Sequence, residues 1–119
     1  MVKNKLHNFI TEADVQKYEM LKPLLDSLHV EMKELSKKKQ DGVLNKLKVN
    51  IINKILSQIK EMLANEPTSQ FIDILDEETL PTNSDVVLIL SQFQSAMKHF
   101  HDKYQIWIKD ELVWRWRTK

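Results

Sequence analysis

Tyr18-Glu19-Met20-Leu21-Lys22-Pro23-Leu24-Leu25-Asp26-Ser27-Leu28-His29-Val30-Glu31-Met32-Lys33-Glu34-Leu35 is the stretch on which the fold turns. Its apolar residues return at Tyr18, Leu21, Leu25, Leu28, Met32 and Leu35, alternately three and four positions apart. That spacing is the a/d repeat of a helix laid along a partner helix. Leu24 widens the stripe. Pro23 lies within it, at the outward heptad position. A proline removes one backbone hydrogen bond and costs about 3 kcal/mol in a regular helix interior. The sequence therefore predicts a kinked but continuous helix. The alternative is a break, with Pro23 opening a second helix.

The helix has clear punctuation on both sides. Thr11 is an N-cap with Asp14 three residues on, and Leu6, Phe9 and Ile10 offer a hydrophobic staple. Residues 1–10 read as a tail or docking segment. Lys37-Lys38-Lys39 complements the helix dipole at the far end, and Gly42, the only glycine, is read as the left-handed closing residue. The first helix thus spans about 12–40. Leu44, Leu47, Ile51, Ile55, Ile59 and Met62 then repeat with helical spacing, with Val43, Ile52, Leu56 and Leu63 beside them. This predicts a second helix over 43–65 with a stripe wide enough for two neighbours. Residues 66–83 form an acidic crossover, with a short helical or extended element near 70–80. Val86, Ile89, Leu90, Phe93, Ala96, Met97, Phe100, Tyr104, Trp107 and Ile108 predict a third helix over 84–114, capped by Asn83 or Ser84. The end, 110–119, is rich in Trp and Arg, and Val113-Trp114-Arg115-Trp116-Arg117 alternates instead of following the helical period. The expected fold is one all-α domain, a bundle of three long helices.

Composition narrows the function. A single glycine removes phosphate-cradling loops, dinucleotide folds and the nucleophile elbow of serine hydrolases. With no cysteine there are no disulfides, no thiol chemistry and no Cys-based metal sites, which fits a cytoplasmic setting. No apolar run reaches the roughly 18–20 residues that cross a bilayer, and the basic start lacks the apolar stretch of a secretory signal. Heavy use of Lys, Asn, Ile and Leu with only two Arg fits an AT-rich genome, bacterial or phage. The formal net charge of +1 is unevenly spread: residues 1–65 carry 12 Lys and 8 acids, residues 66–85 carry 6 acids and no base, and residues 86–119 carry 6 bases and 3 acids. An acidic middle between basic ends favours contact with itself or with a protein over a polyanion.

Candidate chemistry is sparse. His99 and His101 are two apart and cannot share a metal from one helix face. Asp26 and His29 have i, i+3 spacing, but a di-iron bundle needs that motif twice with further carboxylates. Ser91 and Ser95 have no histidine–acid arrangement readable nearby. Residues 73–78 lack the glycine and alternating ligands of a calcium loop. No catalytic residue, metal, cofactor or small-molecule substrate is assigned. Two interaction surfaces remain. Trp107, Trp114, Arg115, Trp116 and Arg117 combine the residue types that dominate protein interfaces, and the a/d seam of Tyr18, Leu21, Leu25, Leu28 and Met32 is a candidate for helix-mediated homo-oligomerisation. Lys37, Lys38, Lys39, Lys46 and Lys48 form the nucleic-acid candidate, since phosphates require such cations. The expected function is a non-catalytic protein-interaction module (an adaptor, an inhibitor or immunity-like protein, or a regulator), self-associating through apolar helix faces and the Trp-rich end. A nucleic-acid-binding regulator is the alternative.

Overall fold

A computed structural model describes residues 9–118. The chain is 64% helical, with three α-helices and a small two-stranded sheet. In chain order these are α1 (Glu12–Lys38), α2 (Lys46–Met62), a 3-10 turn (Pro67–Phe71), α3 (Asn83–Lys103), β1 (Gln105–Ile108) and β2 (Val113–Trp116). Residues 1–8 of the predicted tail, Leu6 of the staple among them, lie outside the described residues. Ile10 is buried, and its N–H donates to the Arg117 carbonyl at 2.9 Å.

α1 begins with a capping box. Thr11 Oγ1 accepts from the Asp14 N–H, and the Asp14 carboxylate accepts from the Thr11 N–H. The helix then runs unbroken through Pro23, which sits on the exposed side. There the carbonyl left without a partner can turn to water, so no second helix starts at the proline. Tyr18, Leu21, Leu25 and Met32 are buried and Leu28 is partly buried, chiefly against α3 and to a lesser extent α2. Most of the a/d seam thus belongs to the chain's own core, with Leu28 left at its edge.

Gly42 corrects a second expectation. Among the described residues no glycine has positive φ, and Lys39, with extended backbone, closes α1. Gly42 is required by close approach instead. A Cβ there would stand 2.9 Å from Nδ2 of Asn83, the amide that donates to the Lys39 carbonyl at 2.8 Å. Residues 40–44 are zipped to the start of α3: Leu44 N–H donates to Pro81 O, Asn83 N–H to Gly42 O and Ser84 N–H to Gln40 O. This pairing holds Val43 and Leu44 out of α2, which starts at its cap Asn45. Thr82, not Asn83 or Ser84, caps α3.

The crossover is partly 3-10 and partly extended. Ile72 and Leu75 turn inward while Phe71 and Ile74 stay exposed. Buried Asn53 of α2 grips Leu75 at both backbone groups, donating to its carbonyl at 2.8 Å and accepting from its N–H at 2.9 Å. Two acids of this segment meet the chain's own lysines: Asp73 with Lys60, and buried Glu66 with Lys103.

The third predicted helix is too long. α3 stops at Lys103, and residues 105–116 form an antiparallel hairpin. Gln105-Ile106-Trp107-Ile108 is β-branched and aromatic with no helix-favouring residue but Gln, and it pairs with the alternating run Val113-Trp114-Arg115-Trp116.

Candidate protein interface on the hairpin

The hairpin is fixed at its base and bare at its tip. Trp116 provides the anchor: its ring lies 5.1 Å from that of Tyr18, 5.2 Å from His101 and 6.3 Å from Phe100. Tyr104, buried at the junction with α3, donates its hydroxyl to Glu66 at 2.7 Å, and Lys103 reaches the other carboxylate oxygen at 3.1 Å. Burial and the Glu66 hydrogen bond together push the Tyr104 hydroxyl pKa well above its ordinary value. The Arg117 N–H donates to the Tyr104 carbonyl at 2.7 Å, and Ile10 forms a parallel bridge with Thr118.

Beyond this base the strands leave the helices. Side chains alternate across a strand, so Trp107 and Trp114 share the Trp116 face, while Ile106, Ile108, Val113 and Arg115 share the other. Trp107 and Trp114 are directly opposite partners with ring centroids 5.5 Å apart. They are 45% and 63% exposed, so they brace one another and remain open to solvent. Ile106, Leu112 and Val113 are exposed as well. Two-stranded hairpins are marginal alone, and an aromatic cross-strand pair adds about 0.2–1 kcal/mol.

The predicted tail residues therefore divide. Trp107 and Trp114 form an exposed aromatic patch. Trp116 and partly buried Arg117 belong to the anchor. Arg115 is tied to Glu111 through Nε at 2.8 Å and Nη2 at 2.6 Å. The alternation at 113–117 was the available signal for a hairpin. Its turn, Lys109-Asp110-Glu111-Leu112, contains no glycine, and Leu112 takes the left-handed place at φ 56°.

A second apolar surface lies between α1 and α2. A groove of about 330 Å³ is lined by Leu28, Met32, Leu35, Ile51 and Ile52, with Glu31 and Lys48 at its edge. Leu47 and Ile51 belong to the wide stripe read for α2, yet they are exposed. The core side of α2 is instead Val49, Ile52, Leu56 and Ile59.

The lysine cluster stays exposed around the turn joining α1 to α2, with Lys37 paired to Glu34. This turn is at the C-terminal end of α1, whereas the hairpin packs on Tyr18 near the N-terminal end. A 27-residue helix spans about 40 Å. Lysines and tryptophans thus do not form one continuous surface.

One juxtaposition escaped the sequence. His29 Nε2 lies 3.0 Å from Ser91 Oγ, across 62 positions. Ser91 spends its hydrogen on the Val87 carbonyl at 2.9 Å, so His29 is the donor to Ser91. Asp26 is held by Lys22 and Gln94. Those bonds outweigh burial and lower the Asp26 pKa, while burial, reinforced by Lys33, lowers that of His29. The arrangement is a polar seam between α1 and α3; the serine proton is directed away from the imidazole. No group of three or more His, Asp or Glu able to hold a metal occurs among the described residues, and none of their helices is long and apolar enough to cross a membrane.

Comparison with protein-family models, with curated proteins and with solved structures gives no match to this chain.

Proposed function

We propose that this protein is a non-catalytic interaction module, an adaptor or regulator whose hairpin arm docks on protein. The observation that carries the reading is the Trp107–Trp114 pair, mutually braced, largely exposed and held away from the helices by a separate anchor. Tryptophan dominates interface hot spots because it offers large area with few rotatable bonds. Here that area is already ordered, so docking loses little side-chain entropy. The exposed Leu47 and Ile51 beside the α1–α2 groove offer a second apolar face for self-association. The exposed Lys38, Lys39 and Lys46 keep a polyanion-binding reading in play, confined to the opposite end of α1.

Affinity capture with immobilised wild type and with the Trp107→Ser/Trp114→Ser double variant tests the reading. The expected result is protein capture by wild type that the double variant loses while its helical circular dichroism is unchanged. Equal capture by both, or captured material that nuclease treatment removes, overturns it.

A further inference from the structure

The outer edge of β1 carries a more specific assignment, which rests on the hairpin being the binding element. Sheet pairing alternates between bonded and non-bonded residue pairs. The Arg117 N–H bonds to the Tyr104 carbonyl, so in this register Ile106 and Ile108 direct their backbone groups toward β2. Gln105 and Trp107 direct theirs outward. Among the described residues nothing pairs with that edge; Ile10, whose N–H bonds to the Arg117 carbonyl, meets the chain on the same side as Tyr104 and leaves the edge open.

Natural edges are guarded by charge, proline or a bulge. β1 has none of these. Gln105-Ile106-Trp107-Ile108 is uncharged and rich in β-favouring residues. A two-fold axis sets a strand against its own image, where any charge would meet itself or a close neighbour of like sign. β2 carries Arg115, followed directly by Arg117, and would repel its copy; β1 would not. An antiparallel pair also sets each hairpin tip near the other's base. Most charges at these two ends are already paired within the chain, Lys98 with Asp102, Lys103 with Glu66 and Arg115 with Glu111, so their approach carries little net repulsion.

We infer that two copies of this chain pair edge to edge through β1, antiparallel, forming a four-stranded sheet. Only outward groups can meet outward groups, and this fixes the parity of the register. Gln105 opposite Trp107 of the second copy, with Ile106 facing its own image on the axis, uses all four outward residues of the two strands in four backbone hydrogen bonds. The aromatic pairs of both arms then lie on one face of a continuous sheet. A strand edge and a few side chains bury less than the roughly 1,200 Å² of a stable complex, so the dimer is weak, with Kd about 0.1 mM.

Sedimentation equilibrium up to about 1 mM chain tests this. Wild type is expected to dimerise, and Ile106→Lys and Ile106→Glu, each with wild-type helical circular dichroism, to remain monomeric. An equimolar mixture of the two variants should dimerise again, because opposite charges then face each other on the axis. A monomeric wild type, single variants that dimerise like wild type, or a mixture that stays monomeric overturns the edge pairing. In each case Trp-dependent capture of another protein still decides the broader reading by itself.

Discussion

Leu112 holds a left-handed backbone, φ 56°, at the tip of the hairpin, with its side chain 72% exposed. An L-residue with a Cβ pays about 1–2 kcal/mol for that region, and glycine pays almost nothing. Leu112→Gly should therefore raise stability by about 0.5–1 kcal/mol, after allowing for the greater freedom glycine gives the unfolded chain. Denaturant midpoints at unchanged m-value check this; a loss of stability would mean that Leu112 makes apolar contacts worth more than its strain. His29 gives a prediction of a different kind. Its pKa in the folded chain lies below its ordinary value of 6.5, chiefly through burial. Between the two values the unfolded chain binds more protons, so this contribution is complete above about pH 6.5 and is lost as pH falls toward the lower folded value. His29→Gln keeps a donor for Ser91 and cannot titrate. The variant should lose less stability than wild type between about pH 7.5 and pH 5.5, measured by denaturant titration; parallel losses would assign the slope to other groups.

At the scale of elements, α1 and α2 were legible because their apolar residues keep the helical period; Thr11 also marked the start of α1, whereas the start of α2, read at 43, lies at Lys46 because residues 40–44 pair with the start of α3. The end of α3 was not. Tyr104, Trp107 and Ile108 continue the three-and-four spacing of Phe93 to Phe100, so periodicity alone carries the helix into β1. What ends it is tertiary: Tyr104 is drawn to Glu66, 38 positions back, and Trp116 docks on Tyr18. The Trp-rich patch was legible from residue types, but its division into anchor and free pair depends on a strand register that sequence spacing did not supply. The extended strap over α2 has the same long-range origin. Its grip is Asn53, whose amide satisfies both backbone groups of Leu75. Asn53→Ala leaves a buried N–H and carbonyl unpaired and should cost about 2–4 kcal/mol. The loss should be accompanied by faster amide exchange at residues 72–76 than in α1; uniform exchange across the chain would show that the strap does not open as a separate unit.

At the scale of the whole molecule, length separates the surfaces. The Cα radius of gyration is 16.4 Å and the principal extents are 51 × 28 × 19 Å, against about 13.5 Å expected for a compact domain of this size. α1 spans most of the long axis, with the lysine turn at one end and the hairpin at the other. Charge at one end is felt weakly at the other, since the helix between Tyr18 and Lys38, about 30 Å long, is about three times the roughly 10 Å Debye length at 0.1 M salt. The two ends should therefore respond independently to mutation. Lys38→Glu/Lys39→Glu/Lys46→Glu should abolish any retention on heparin at low salt while leaving hairpin-mediated association within about twofold of wild type. Trp107→Ser/Trp114→Ser should do the reverse. The lysine changes reverse favourable charges in the last turn of α1 but add a favourable one at the start of α2, so the net stability change should stay within about 1 kcal/mol. Running heparin chromatography and sedimentation on both variants separates the alternatives. If the lysine variant loses association as fully as the tryptophan variant, the partner surface runs along the α1–α2 groove and the hairpin is only one end of it.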